Sequence, residues 1–80
     1  MFNAVQKENQ PLAERVAEQI AQLIQERELK EGDRLPNEFD LAQELGVGRG
    51  TIREAVKQLV ARNILTIQRG KGTFVTQNPG

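Results

Sequence analysis

Between Leu35 and Val75 the chain arranges three patterns in a fixed order, and that order leaves few folds open. Residues 37–45 form a short helical stretch that Asn37 can cap, with Asp40 at the third helical position echoing a capping box. A tight Gly46-Val47-Gly48 turn follows, and Gly46 suits the positive φ such a turn needs. Residues 49–62 then read as a second helix, with Ile52, Ala55, Val56 and Leu59 on one side and Gly50, Arg53, Glu54 and Lys57 on the other. Two β-branched runs, residues 64–68 and 73–76, close the tract as a hairpin with the tip Arg69-Gly70-Lys71-Gly72. Helix, glycine turn, helix with basic residues near its start and basic hairpin together predict a winged helix-turn-helix. This is a mainly α fold of three helices with a two- or three-stranded wing.

The third helix of that fold lies upstream. Leu12, Val16, Ile20, Leu23 and Ile24 recur at helical spacing, and Pro11 suits a first turn, which predicts a helix over residues 11–28. Ala13, Ala17 and Ala21 would let another element approach that helix closely. Glu31-Gly32-Asp33 marks a break, and Arg34-Leu35 could form a short strand before Pro36 ends it. Leu41, Ala42 and Leu45 give the short helix its inward face. Residues 1–10 show no periodicity and read as a flexible tail. The domain therefore spans residues 11–76, with a turn-like stretch at 77–80.

Eighty residues make one small domain, a size that buries only about 60% of its unfolded surface. The chain has no cysteine and no histidine. That removes disulfides, thiolate metal sites, the commonest metal ligand and the commonest general base. No nucleophile–base pair or metal cluster is visible, so an enzyme is not expected, and no cofactor or metal is expected. No apolar run is long enough to span a bilayer and no signal-peptide pattern opens the chain, so no membrane partner is expected and the reading is a soluble, cytoplasmic protein.

The formal net charge of zero conceals a division. Up to Gly46 there are five basic residues against ten acidic ones, whereas from Val47 onward there are six basic residues against Glu54 alone. A basic half joined to an acidic half can hold a polyanion on one face and repel it from the other. Uneven charge is also common on ordinary helix surfaces, so the division alone does not decide for nucleic acid.

Two glycine patterns invite a nucleotide-binding reading and fail it. Gly46, Gly48 and Gly50 lack the further glycine of a dinucleotide fingerprint, having Thr51 in its place, and they follow a helix where that motif follows a strand. Gly70-Lys71-Gly72-Thr73 lacks the first glycine of a phosphate loop, where Leu65 stands, and its hydroxyl residue, where Gly72 stands. Arg49, Arg53 and Lys57 instead form a basic stripe along one helix. Such a stripe is often only a solvated face, but this one begins at a helix N-terminus, where free N–H groups and the dipole favour phosphate. Arginine also fits guanine O6 and N7 with two donors. Arg53 has a further option, pairing internally with Glu54 or Glu38. At the hairpin, Arg69 and Lys71 flank Gly70 on a narrow positive tip that fits a minor groove or adjacent phosphates, although glycine and charge are also ordinary turn chemistry.

At this point the residues resemble the N-terminal DNA-binding domain of the GntR family of bacterial transcription regulators. The resemblance rests on Leu35-Pro36-Asn37-Glu38-Phe39-Asp40-Leu41-Ala42, on Leu45-Gly46-Val47-Gly48-Arg49-Gly50-Thr51-Ile52-Arg53 and on Gly70-Lys71-Gly72-Thr73-Phe74-Val75. It implies that Arg49 reads base edges, that Thr51 and Arg53 touch phosphate or position the helix, and that Arg69 and Gly70 form the wing tip. Three positions depart from the family pattern. Asn37 and Gly48 replace serines, of which Asn remains a good cap and Gly a weaker one. Phe39 replaces an arginine, so an arginine–guanine contact is lost there; Phe39 could meet a thymine methyl or fold back onto the first helix. The resemblance also implies a C-terminal domain that binds a small-molecule effector and forms a homodimer, with residues 77–80 as the start of a linker to it. The Ile52-Arg53-Glu54-Ala55 wording leans toward the FadR-type branch of the family.

The expected function is therefore a sequence-specific DNA-binding module of a metabolite-responsive regulator, acting on a pseudo-palindromic double-stranded operator. Its expected contact residues are Asn37, Phe39, Gly48, Arg49, Gly50, Thr51, Arg53, Lys57, Arg69, Gly70, Lys71, Gly72 and Thr73. The rival is a winged helix used for protein–protein contact, with the acidic first helix as its working face.

Overall fold

The computed structural model describes residues 11–76; the expected tail at 1–10 and linker at 77–80 lie outside the described residues. Three helices, α1 (Leu12–Glu26), α2 (Glu38–Leu45) and α3 (Arg49–Ala61), precede a hairpin of β1 (Leu65–Gln68) and β2 (Gly72–Val75). The strands are antiparallel, with Leu65 opposite Val75 and Gln68 opposite Gly72. This is the three-helix, hairpin-bearing arrangement expected from the sequence.

Helix boundaries shift inward for a local reason. Pro11 has ψ 142 and acts as the N-cap, so α1 begins one residue later than the periodicity suggests. At the other end Glu28 takes φ +54, which stops α1 two residues short of the expected end at 28. The Glu28 N–H then donates to the Gln25 carbonyl and the Leu29 N–H to the Ile24 carbonyl, the pair of bonds that satisfies a helix's last carbonyls. The end of α3 repeats the device. Asn63 has φ +65, its N–H donates to the Val60 carbonyl, and the Ile64 N–H donates to the Leu59 carbonyl. Ile64 is thereby committed to ending the helix, so β1 starts at Leu65 and not at 64 as expected.

Asn37 caps α2 as its sequence position implies, its Oδ1 accepting from the Asp40 N–H at 2.8 Å. The reciprocal bond of a full capping box is not formed among the described residues, since Asp40 is one methylene shorter than the Glu that usually reaches back. Gly46, at φ +71, turns the chain out of α2 toward α3. The expected Arg34-Leu35 strand is reduced to a single bridge, Arg34 with Phe74, fastened by Leu35 N–H to the Thr73 carbonyl and Val75 N–H to the Asp33 carbonyl. The segment still gives β2 a partner on its second edge.

One core joins all these elements. Val16, Ala17, Ile20, Leu23 and Ile24 of α1 pack with Leu41 and Ala42 of α2, with Ile52, Ala55, Val56 and Leu59 of α3, and with Leu35 and Leu65. Leu45, expected in the buried face of α2, is only partly buried against this cluster. The most extensive interhelical packing is between α1 and α3, where the small, fully buried Ala17 costs no clearance. Because α3 spends its apolar side on this core, its polar side must face outward.

Candidate nucleic-acid interface

The outward side of α3 carries the basic stripe. Arg49, Arg53 and Lys57 are all exposed, and Gly50 stands open between the first two. Thr51 is half-buried, turned toward the boundary of the helix. Gly48 is the N-cap of α3 but offers no side-chain bond, as expected for glycine in place of a capping serine. A methyl group built at either Gly48 or Gly50 would meet nothing within 4 Å, so neither glycine is required by internal packing.

The two arginines are not loose. Arg49 Nε donates to Glu38 Oε1 at 3.1 Å, and Arg53 Nε donates to Glu38 Oε2 at 2.9 Å. One carboxylate at the first position of α2 thus brackets two guanidinium groups from successive turns of α3. The Glu38 carboxyl is held below the usual carboxylate range, first by the hydrogen bond from Arg53 and then by that from Arg49. Arg53 is in turn held still more firmly protonated, chiefly by its bond to Glu38. Of the two internal partners open to Arg53, Glu38 is therefore the hydrogen-bonded one; Glu54 instead lies 3.6 Å from Lys57 Nζ.

Phe39 is not part of the core: it is 53% exposed and borders a shallow hollow together with Gly48 and Arg49. It neighbours the start of α3. Asn37 is exposed but its side-chain oxygen is occupied as the cap of α2.

The wing stands beside α3. Arg53 and Lys57 of α3 and Ile67 and Thr73 of the hairpin border one groove of about 320 Å³, floored by Leu41, Ile52 and Val56. Arg69, Gly70 and Lys71 form the exposed tip, closed by the Lys71 N–H donating to the Gln68 carbonyl at 2.9 Å. Among the described residues neither Arg69 nor Lys71 forms an ion pair, so the cations of the tip have no internal partner to leave. Gly72 has φ +128, and a methyl group there would sit 2.7 Å from Nε of Arg34. Only glycine lets the Arg34 side chain lie against the base of the wing tip.

The structure thus gathers Phe39, Gly48, Arg49, Gly50, Arg53, Lys57 and the wing residues along neighbouring surfaces, with Thr51 and Thr73 half-buried behind them. Three participants were missed in the sequence as site residues. Glu38 entered only as an optional partner of Arg53, whereas it holds Arg49 as well. Arg34 reaches the wing through a contact between segments far apart in the chain. Ile67 sits in β1 as a β-branched residue expected only to build the sheet, yet it is 55% exposed at the groove. The same-face alternation from buried Leu65 to Ile67, carried past the edge of the core, was the available signal.

Comparisons with known proteins agree with this architecture. The family model for bacterial regulatory proteins of the gntR family matches residues 12–75. The mannosyl-D-glycerate transport/metabolism system repressor MngR of Escherichia coli K12 is 44% identical over 69 residues, covering 86% of this chain and 29% of the relative. The histidine utilization repressor of Pseudomonas putida is 39% identical over 70 residues, covering 88% of this chain and 28% of the relative. Among solved structures, a Streptococcus agalactiae GntR superposes with a TM-score of 0.79 at 49% identity, over 81% of this chain and 32% of that one. The AraR DBD, solved in complex with operator ORX1, superposes with a TM-score of 0.76 at 36% identity, over 84% of this chain and 81% of that one. The chain therefore spans less than a third of the two repressors it matches.

Proposed function

The chain belongs to the GntR family of bacterial regulatory proteins, and from that premise we propose that it is a sequence-specific DNA-binding module of a transcription regulator. The observation that carries this reading is the shared groove: the basic flank of α3 and the inner side of the wing border one surface. A helix with cations in its first two turns enters a major groove, and the adjoining tip then meets the neighbouring minor groove or its phosphates. The likeness to a domain solved on an operator supports the same mode.

The roles divide by chemistry. Arg49, nearest the free N-terminus of α3, reads a base edge, with Phe39 beside it meeting a thymine methyl. Gly48, Gly50 and Thr51 let the backbone approach a phosphate. Arg53 positions the helix and Lys57 contacts phosphate. Arg69, Gly70, Lys71, Gly72 and Thr73 form the wing contact, and Asn37 serves by capping α2 close to it.

The domain occupies residues 11–76, and residues 77–80 lead toward a C-terminal domain that binds a small effector and forms the dimer. That dimer acts on a pseudo-palindrome in the cytoplasm. The Ile52-Arg53-Glu54-Ala55 wording supports a place in the FadR-type branch. No observation favours acidic α1 as a protein-docking face.

The test is fluorescence anisotropy on a duplex selected from a randomised pool and on a random duplex. Arg49→Ala is expected to cost about 1–3 kcal/mol on the selected duplex and to flatten preference at one base position. Lys57→Ala is expected to weaken both duplexes alike. An equal loss on both duplexes for Arg49→Ala would remove base reading from the start of α3.

A further inference from the structure

We infer that Glu38 is a specificity-determining residue, one that restrains Arg49 and Arg53 from indiscriminate phosphate binding while presenting Arg49 to a base edge. The inference rests on the DNA-binding reading above and deepens it. Its ground is the bracket: two oxygens of one carboxylate, each taken by the Nε of a different arginine at 3.1 and 2.9 Å.

The bracket does little for the fold. Both arginine side chains are about 60% exposed and Glu38 about a third exposed, at 60%, 61% and 31%, and ion pairs this open contribute little to stability. Yet the position of Glu38 is well fixed, because the Asn37 cap sets the first residue of α2 and the core holds α2 against α3. From Val47 onward the chain has a single acidic residue, Glu54, which lies 3.6 Å from Lys57 Nζ, and the carboxylate that hydrogen-bonds Arg49 and Arg53 comes from a different helix. A carboxylate held in that manner at the centre of a basic face acts on what the face binds.

Its effect differs for the two kinds of DNA contact. A phosphate approaching either guanidinium brings a full negative charge toward Glu38 and is repelled by it. A base edge carries no net charge and meets no such repulsion. The Nε of Arg49 is already occupied, which leaves its two terminal nitrogens available as an end-on fork, one of the geometries that spans guanine O6 and N7. Glu38 therefore lowers affinity for phosphate more than affinity for the correct base, and the difference is specificity.

The experiment measures binding of the unsubstituted chain, Glu38→Gln and Glu38→Asp to a selected and a random duplex across a salt series, with circular dichroism confirming the fold. Glu38→Gln is expected to bind random duplex about three- to tenfold more tightly, to lose about tenfold in selected-to-random ratio, and to steepen the log–log salt slope by about 0.9 for one further phosphate. Glu38→Asp keeps the charge but is one methylene too short to bracket both arginines. It is expected to leave random binding unchanged and to weaken the selected duplex. If Glu38→Gln leaves ratio and slope unchanged while the unsubstituted chain discriminates, the role of Glu38 is overturned and the DNA reading stands. A rise in random binding for Glu38→Asp would also overturn it, even should Glu38→Gln fail to fold. An unsubstituted chain that does not discriminate overturns the DNA reading and the role of Glu38 together.

Discussion

Phe39 and Gly50 are two residues from which the fold itself gains little. Phe39 leaves over half its surface in water beside Arg49, a poor use of a large apolar ring unless something covers it. Phe39→Ala is expected to weaken DNA binding while moving the melting temperature little; a large drop in melting temperature would instead place the ring in the core. Gly50 lies in the first turn of α3 with open space where a methyl group would go. Gly50→Ala is therefore expected to stabilise the fold by about 0.5–1 kcal/mol in chemical denaturation. If the backbone of that turn approaches DNA closely, the same variant loses affinity; unchanged affinity would remove that approach. At this scale Arg49, Arg53 and Lys57 were legible in the sequence because helical spacing alone aligns them. Glu38 was not, since its hold on Arg49 depends on how α2 packs across α3, eleven residues away along the chain.

Elements were legible where periodicity governs them and less so where they stop. Each helix ends at a residue with positive φ, yet only α2 uses glycine; α1 and α3 use Glu28 and Asn63. Glycine is the usual mark of such an end, and without one the expected helices extend to 28 for α1 and to 62 for α3. The hydrophobic residues that follow, Leu29 and Ile64, pack against the core and hold these turns in place. Glu28 is the costlier choice, because a side chain with a long stem gains nothing in the left-handed region, whereas Asn tolerates it. Glu28→Gly is expected to stabilise the domain by about 1 kcal/mol, or about 4–8 °C in melting temperature for a domain of this size. Asn63→Gly is expected to gain less. A destabilised Glu28→Gly would mean that the Glu28 side chain does something for the fold beyond filling the turn.

Taken whole, the molecule separates its charge as the sequence does: acidic residues dominate α1 and α2, and cations dominate α3 and the wing. With about five or six phosphates neutralised per domain, binding is expected to weaken with a log–log salt slope of about −5. A salt-independent complex would exclude phosphate neutralisation as a source of the affinity. More narrowly, DNA is expected to meet the α3–wing face and no other. Amide chemical-shift mapping during titration with a selected duplex tests it most directly. The largest shifts are expected at residues 48–57 and 69–73, with the outward face of α1 around Glu14 unchanged. Shifts concentrated on α1, with the start of α3 and the wing tip silent, would contradict it.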